Sequence, residues 1–161
     1  MNKLSKLIEF TGKMPFGKAY MRSLILGKVV PFTGTSSLSF EKVEPDEVVI
    51  YLKNKRSVQN HIKQVHAAAM ALVIETATGF VVGMNVKDDK ILLIRELNLK
   101  YVKKSTGAVK AVAKLSKEQR EMIEKEPRGD LSVTVTLTDE DSENPVQAEA
   151  IWSWREKNKS S

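Results

Sequence analysis

The sequence predicts an α+β fold: a curved, mostly antiparallel sheet wrapped around one long central helix, with further helices at the N-terminus. Three observations carry that expectation. Six segments alternate apolar and polar residues with strand periodicity, two before residue 53 and four after residue 90. Between them, Val65 to Val86 is apolar on nearly every side, as befits a helix buried inside a sheet. Strands gathered before and after a single helix fit antiparallel pairing better than repeated βαβ units.

Taken in order, Leu4, Leu7 and Ile8 recur at helical spacing, as do Ala19, Tyr20, Leu24 and Ile25. Pro15 and Gly17 are expected to separate these two amphipathic helices, and Gly27 and Pro31 to stop the second. Together they occupy residues 1–30 and are expected to cover part of the sheet. Thr35 to Val43 and Glu47 to Leu52 then read as a hairpin around Glu44-Pro45-Asp46. In the central helix, Gly79 and Gly83 are expected to allow close packing on the sheet. Asp88-Asp89 marks the turn that follows it.

Ile91 to Lys103 and Ala108 to Leu115 are the next strands, joined at Ser105-Thr106-Gly107. Ser116 is placed to cap a short charged helix, which Pro127 and Gly129 close. Leu131 to Thr138 and Val146 to Trp154 form a last hairpin across Asp139 to Pro145. On its second strand Trp152 and Trp154 share one face, which belongs in a core or an interface. The polar tail 157–161 is expected to fray. The whole chain, 1–161, reads as one domain. One sheet around one helix leaves a face uncovered, so a homodimer or a dimer of dimers is expected.

Composition narrows the function classes. With 161 residues the chain can bury a substantial core without a metal or a disulfide. The absence of cysteine excludes disulfides, thiolate–metal sites and a cysteine nucleophile, and fits a cytoplasmic setting. The 26 Lys+Arg against 20 Asp+Glu give a net charge of +6 with the signs interspersed. That is a mild pull on anionic ligands; without a basic block, no nucleic-acid partner is expected. Met1 to Phe10 has no continuous hydrophobic region, so no signal peptide is read there. His66 and Glu75 interrupt the one long apolar segment, so no membrane span is expected either.

The segment Asn60 to Gly79 concentrates the chemistry. A polar loop holding His61 and His66 opens directly into the apolar helix, whose one carboxylate is Glu75. An ionised carboxylate in such surroundings calls for a partner or a task, because desolvation disfavours the charge. The plain alternative is a structural acid paired across an interface. Asn60 alone would be read as a turn residue, and His66 as a cap of the helix start.

The spacing Asn60, His66-Ala67-Ala68, Glu75 resembles the signature of the hotdog-fold acyl-CoA thioesterases, the group of phenylacetyl-CoA and 4-hydroxybenzoyl-CoA thioesterases. That signature is an Asn, a His-Gly-Gly six residues later at the start of the central helix, and an acid nine residues after the His. Two positions depart from it: alanines replace both glycines, and the acid is Glu rather than the commoner Asp. Thr76-Ala77 and Gly79 resemble the small residues that follow the acid. The resemblance implies an acyl-CoA substrate and Glu75 as general base or nucleophile. It further implies the Ala67 amide as oxyanion donor, with His66 and Asn60 completing the site. No cofactor is implied. Lys103 and Lys104, flanking a predicted turn, would attract the 3′-phospho-ADP end of coenzyme A.

Helix geometry adds a constraint of its own. Ala67 and Glu75 are eight residues apart, about 12 Å along a helix axis, so one thioester carbon cannot reach both on one chain. Two antiparallel central helices related by a two-fold axis would bring them together.

Other readings stay open on the residues. His61 and Glu75 have the separation that hydroxyacyl thioester dehydratases of the same superfamily use, but Asn60 rather than Gly adjoins His61. A hotdog domain that only binds an acyl ligand or dimerises is a third reading, favoured by the alanines. A metal is not expected, because His61 and His66 do not share a helical face and Glu75 lies too far along.

Overall fold

The computed structural model describes residues 2–12 and 17–157. Three helices, α1 (Lys3–Gly12), α2 (Lys18–Val29) and α3 (Pro31–Thr35), lead into the hairpin β1 (Ser39–Val43) and β2 (Glu47–Leu52). The central helix α4 (Ala67–Gly83) follows a polar loop. After it come β3 (Lys90–Tyr101), β4 (Val109–Lys114), α5 (Lys117–Lys125), β5 (Gly129–Asp139) and β6 (Val146–Glu156). The strands form one antiparallel sheet in the order β1-β2-β4-β5-β6-β3. The α+β architecture expected from the sequence is therefore present, with α4 as its axis.

Alternation explains why the sheet closes on α4. Val48, Ile50 and Leu52 are buried on β2, Ala111 and Ala113 on β4, and Leu131, Val133 and Leu137 on β5. They meet Val73, Ile74, Ala77, Val81 and Val82 of α4 in a single core. The two β4 alanines keep the sheet's inner surface low where the helix crosses it. Trp152 and Trp154 both point inward, as their spacing predicts, and each meets a glycine. A Cβ on Gly79 would lie 2.7 Å from the Trp152 ring, and one on Gly129 would lie 2.6 Å from the Trp154 ring.

The ends of the elements follow capping chemistry. Ser116 and Gln119 form a reciprocal capping box at the start of α5. The buried Lys90 ammonium donates to the carbonyls of Ile123 (3.0 Å) and Glu126 (2.6 Å) at the other end of that helix. Such a cation suits the negative end of the helix dipole. Gly107 holds a left-handed φ of 65° between β3 and β4, a conformation glycine adopts without penalty.

Several sequence expectations need correction. Residues 35–38 are not strand: Pro31 opens α3, where proline at the first helical position needs no N–H, and β1 begins only at Ser39. Gly27 does not stop α2 but lies within it. Its role is contact, since a Cβ there would lie 2.9 Å from the Cα of Gly34. The N-terminal helices do more than cover the sheet. The Asn2 side chain donates to the Gly83 carbonyl (2.7 Å) and the Ser5 hydroxyl to that of Met84 (3.1 Å), so α1 caps the end of α4. Lys157, assigned to the fraying tail, donates its N–H to the Asp89 carbonyl (2.8 Å). Pro15 and the rest of that tail, 158–161, lie outside the described residues. Among the described residues no helix is long and apolar enough to cross a membrane.

Candidate active site

The polar loop before α4 is folded by its own side chains. Asn60 Oδ1 accepts from the N–H groups of Ile62 (3.0 Å) and Gln64 (3.1 Å), while its own N–H donates to the Gln64 carbonyl (2.8 Å). This tight turn is what an Asx residue stabilises. An isolated bridge between Gln59 and Val65 closes its neck, and His66 N–H donates to the Val58 carbonyl (2.8 Å). The chain is thereby aimed into α4.

His66 is the N-cap. Its Nδ1 accepts from the Ala68 N–H at 3.0 Å, so the ring is committed to holding the helix start. Ala69 and Met70 donate to the His66 carbonyl. The N–H of Ala67 has no acceptor among the described residues, leaving one free donor at the positive end of a 17-residue helix.

Glu75 sits two turns further along α4 and is half-buried. Burial pushes its carboxyl above the ordinary range; the neighbouring Thr76 hydroxyl pulls weakly the other way without meeting hydrogen-bond geometry. That hydroxyl is itself buried and unpartnered. Thr78, by contrast, is fully occupied: it donates toward the Ile74 and Glu75 carbonyls and accepts from the Trp152 indole N–H at 3.0 Å. Of the two threonines next to the acid, only Thr76 keeps its hydroxyl without a partner among the described residues.

Glu75 and Thr76 line an apolar cavity of about 340 Å³. Gly79, Phe80 and Gly83 continue its α4 wall, Leu92 and Trp152 supply the sheet side, and Leu4, Val29, Val30 and Thr33 line it from the N-terminal helices. A half-desolvated carboxylate on such a cavity can accept a proton from water or attack a carbonyl. Among the described residues no three His, Asp or Glu side chains converge as a metal site would require.

The remaining sequence candidates lie at the other end of α4. The β3–β4 connection is held against the helix start by two contacts: the Tyr101 hydroxyl donates to the Ala67 carbonyl (2.8 Å), and Gly107 N–H donates to Gln64 Oε1 (2.9 Å). Lys103 and Lys104 lie between these contacts and are exposed. Lys103 is engaged with Glu143 at 2.6 Å. His61 is exposed on the loop. The structure thus groups Asn60, His66 and Ala67, brings the lysine loop beside them, and leaves Glu75 apart on the same helix.

Sequence reasoning missed Tyr101, Gln64 and the N-terminal wall of the cavity. Tyr101 and Gln64 act through long-range contacts that no local pattern marks. Val29 and Val30 lie beyond Gly27, where the sequence predicts that the helix stops.

Solved structures of other proteins share this fold. No curated protein matches the chain. A Pseudomonas aeruginosa protein of unknown function, described as a "probable thioesterase", superposes with a TM-score of 0.77 at 21% identity, covering 89% of this chain and 99% of that one. A thioesterase from Haemophilus influenzae superposes with a TM-score of 0.66 at 11% identity over 89% and 94% of the two chains. A mutant thioesterase from Staphylococcus aureus gives 0.65 at 16% identity over 78% and 98%. The fold shared with these proteins is the hotdog fold, a curved antiparallel sheet around a central helix. The match to a family of domains of unknown function, DUF4442, runs over residues 18–154, and the chain belongs to that family.

Proposed function

We propose that the chain hydrolyses an acyl-CoA thioester at a site shared between two copies of itself. The observation that carries this reading is that Glu75, desolvated on an apolar cavity, and the free N–H of Ala67 stand on one unbroken helix. The two groups are eight residues, about 12 Å, apart, so a thioester can meet both only if each comes from a different chain. Glu75 accepts a proton from the attacking water, or attacks the carbonyl carbon itself. The carbonyl oxygen takes negative charge against the Ala67 N–H. In the first route collapse expels the coenzyme A sulfur, which takes up the proton from Glu75. In the second the thiolate leaves, giving a mixed anhydride on Glu75. Water then cleaves the anhydride, releasing the acid, restoring the Glu75 carboxylate and supplying the thiol proton. His66 and Asn60 hold the helix start in place. Lys103 and Lys104 attract the phosphates of coenzyme A. No cofactor takes part, and the cysteine-free chain works in the cytoplasm.

A free sheet edge supports the pairing. Among the described residues β3 has no strand neighbour but β6, and its exposed Leu93 (54%) and Ile94 (37%) lie along that open edge strand. Long edge strands with apolar side chains favour pairing with another strand. A second copy joined there makes a homodimer, and two such pairs a dimer of dimers.

The test is complementation between two dead variants. Ala67→Pro removes the oxyanion N–H at a position built for proline: it is the first residue of the helix, its N–H is unbonded, and His66 before it is extended at ψ 143°. Glu75→Ala removes the acid. Each variant alone is expected to release no thiol from acyl-CoA. Mixed dimers contain one site with both groups intact and should recover at most about half the wild-type rate. Verified mixed dimers as inactive as their parents sink the shared site. Wild-type protein that releases no thiol from any acyl-CoA sinks the hydrolase.

A further inference from the structure

The cavity beside Glu75 has a length, a wall chemistry and an end, and together they specify an acyl group. Glu75, Gly79 and Gly83 follow one another at four-residue steps, so they share one face of α4. All three line the cavity, with the Trp152 ring lying over Gly79 as one of its walls, so a trough runs along this face from the carboxylate to Gly83. From Glu75 to Gly83 is about 12 Å at the usual helical rise. An extended chain advances about 1.2 Å per bond, judged from about 3.5 Å for three backbone bonds. The trough therefore takes roughly ten bonds.

The walls select among acyl groups of that length. No lysine or arginine lines the cavity among the described residues, so an acyl chain ending in a carboxylate would find no partner for its charge. The Thr33 hydroxyl is spent on the Val30 carbonyl at 2.8 Å. The unpartnered Thr76 hydroxyl lies beside Glu75, where the thioester would react, and not at the far end. At that end stand Leu4 and Leu92, 3.4 and 3.7 Å from where a Cβ on Gly83 would be.

We infer that the chain is selective for uncharged aliphatic acyl groups of about eight to ten carbons, with Gly83 marking the end of the acyl chamber. The inference rests on the thioesterase reading for its chemistry, but the chamber can be tested without it. With acyl-CoAs of two to sixteen carbons, kcat/KM should rise roughly two- to fourfold for each added methylene, as burial of apolar surface demands. The rise should break at eight to ten carbons. Benzoyl- and phenylacetyl-CoA, which reach only part of the trough, should fall below decanoyl-CoA. Gly83→Leu should move the break to shorter chains by roughly four carbons, one for each heavy atom added.

A profile flat from acetyl onward, a rise continuing to sixteen carbons, or a preference for aromatic groups overturns the inference. So does a break that Gly83→Leu, folded by circular dichroism, leaves in place. If no thioester is cleaved, the hydrolase reading fails and the chamber is judged by binding. Calorimetric titration with S-alkyl-coenzyme A thioethers, which cannot be hydrolysed, should show the same break in affinity. Affinity independent of alkyl length overturns the chamber as well.

Discussion

The two glycines of α4 should respond in opposite directions to the same substitution. Gly79→Ala places a methyl 2.7 Å from two carbons of the Trp152 ring, well inside contact distance. The ring cannot swing away freely, because its indole N–H is bonded to Thr78 Oγ1 at 3.0 Å. Overpacking of this kind costs about 1–3 kcal/mol, and losing the indole bond about 1 kcal/mol more. Alanine returns about 0.8–1 kcal/mol through helix propensity. The net is about 2 kcal/mol of destabilisation, a fall of about 4–8 °C in Tm for a chain of this size. Gly83→Ala meets Leu4 and Leu92 only at 3.4 and 3.7 Å, ordinary contact. It keeps a propensity gain of about 0.5 kcal/mol at a helix end, a rise of about 1–2 °C. Thermal unfolding of both variants at one protein concentration measures this directly. A third measurement isolates the cause: in a Trp152→Phe background, which lacks the crowded ring atoms, the cost of Gly79→Ala should largely vanish. If both alanines shift Tm the same way, or the Trp152→Phe background changes nothing, the close approach of helix and indole is not what fixes Gly79.

Other outcomes follow from the same structure. Glu75→Ala should cut thioester hydrolysis by about 10²–10⁴-fold while holding or raising Tm, because a half-buried carboxylate leaves an apolar site; full turnover, or a dimer that unfolds, would mean Glu75 is structural. The raised Glu75 carboxyl binds protons more tightly folded than unfolded, so its stabilising contribution is complete below the unfolded value and is lost as pH rises through the folded one. Denaturant titrations across that window should show the wild type losing stability relative to Glu75→Gln as pH increases, and the acid limb of kcat/KM should lie above the ordinary glutamate range. Gly107→Ala forces a side chain into φ 65° and against Glu140, so chemical denaturation should show a loss of about 1–2 kcal/mol.

The sequence made the architecture legible wherever apolar periodicity was strong. The alternation in Glu47–Leu52 and Val146–Trp154, and the long, mostly apolar run of α4, each follow from burial on one face or on nearly all. The Ser116 cap was readable because capping is a local event between neighbours. The region around Gly27 and residues 35–38 was not, because a contact decides it. Gly27 meets Gly34 across a helix junction, and neither glycine announces a partner. The site divides the same way. Asn60, His66, Ala67 and Glu75 stand at fixed spacing along one segment, so they could be picked out together. Tyr101 reaches Ala67 from 34 positions away, and Leu4 meets the cavity from a helix whose periodicity speaks only of an apolar face.

Trp152 and Trp154, neighbours on one strand, are wired to different parts of the molecule. The indole of Trp152 is bonded to α4 and forms a wall of the Glu75 cavity. That of Trp154 donates to the Glu126 carbonyl just past α5, at 3.0 Å. The chain holds these two tryptophans and no others, so its intrinsic fluorescence is the sum of two local signals. Replacing either by phenylalanine leaves a single emitter, one sensing what fills the cavity and the other sensing whether α5 stays docked. Occupancy and local opening can then be timed separately in one protein, without attaching a dye.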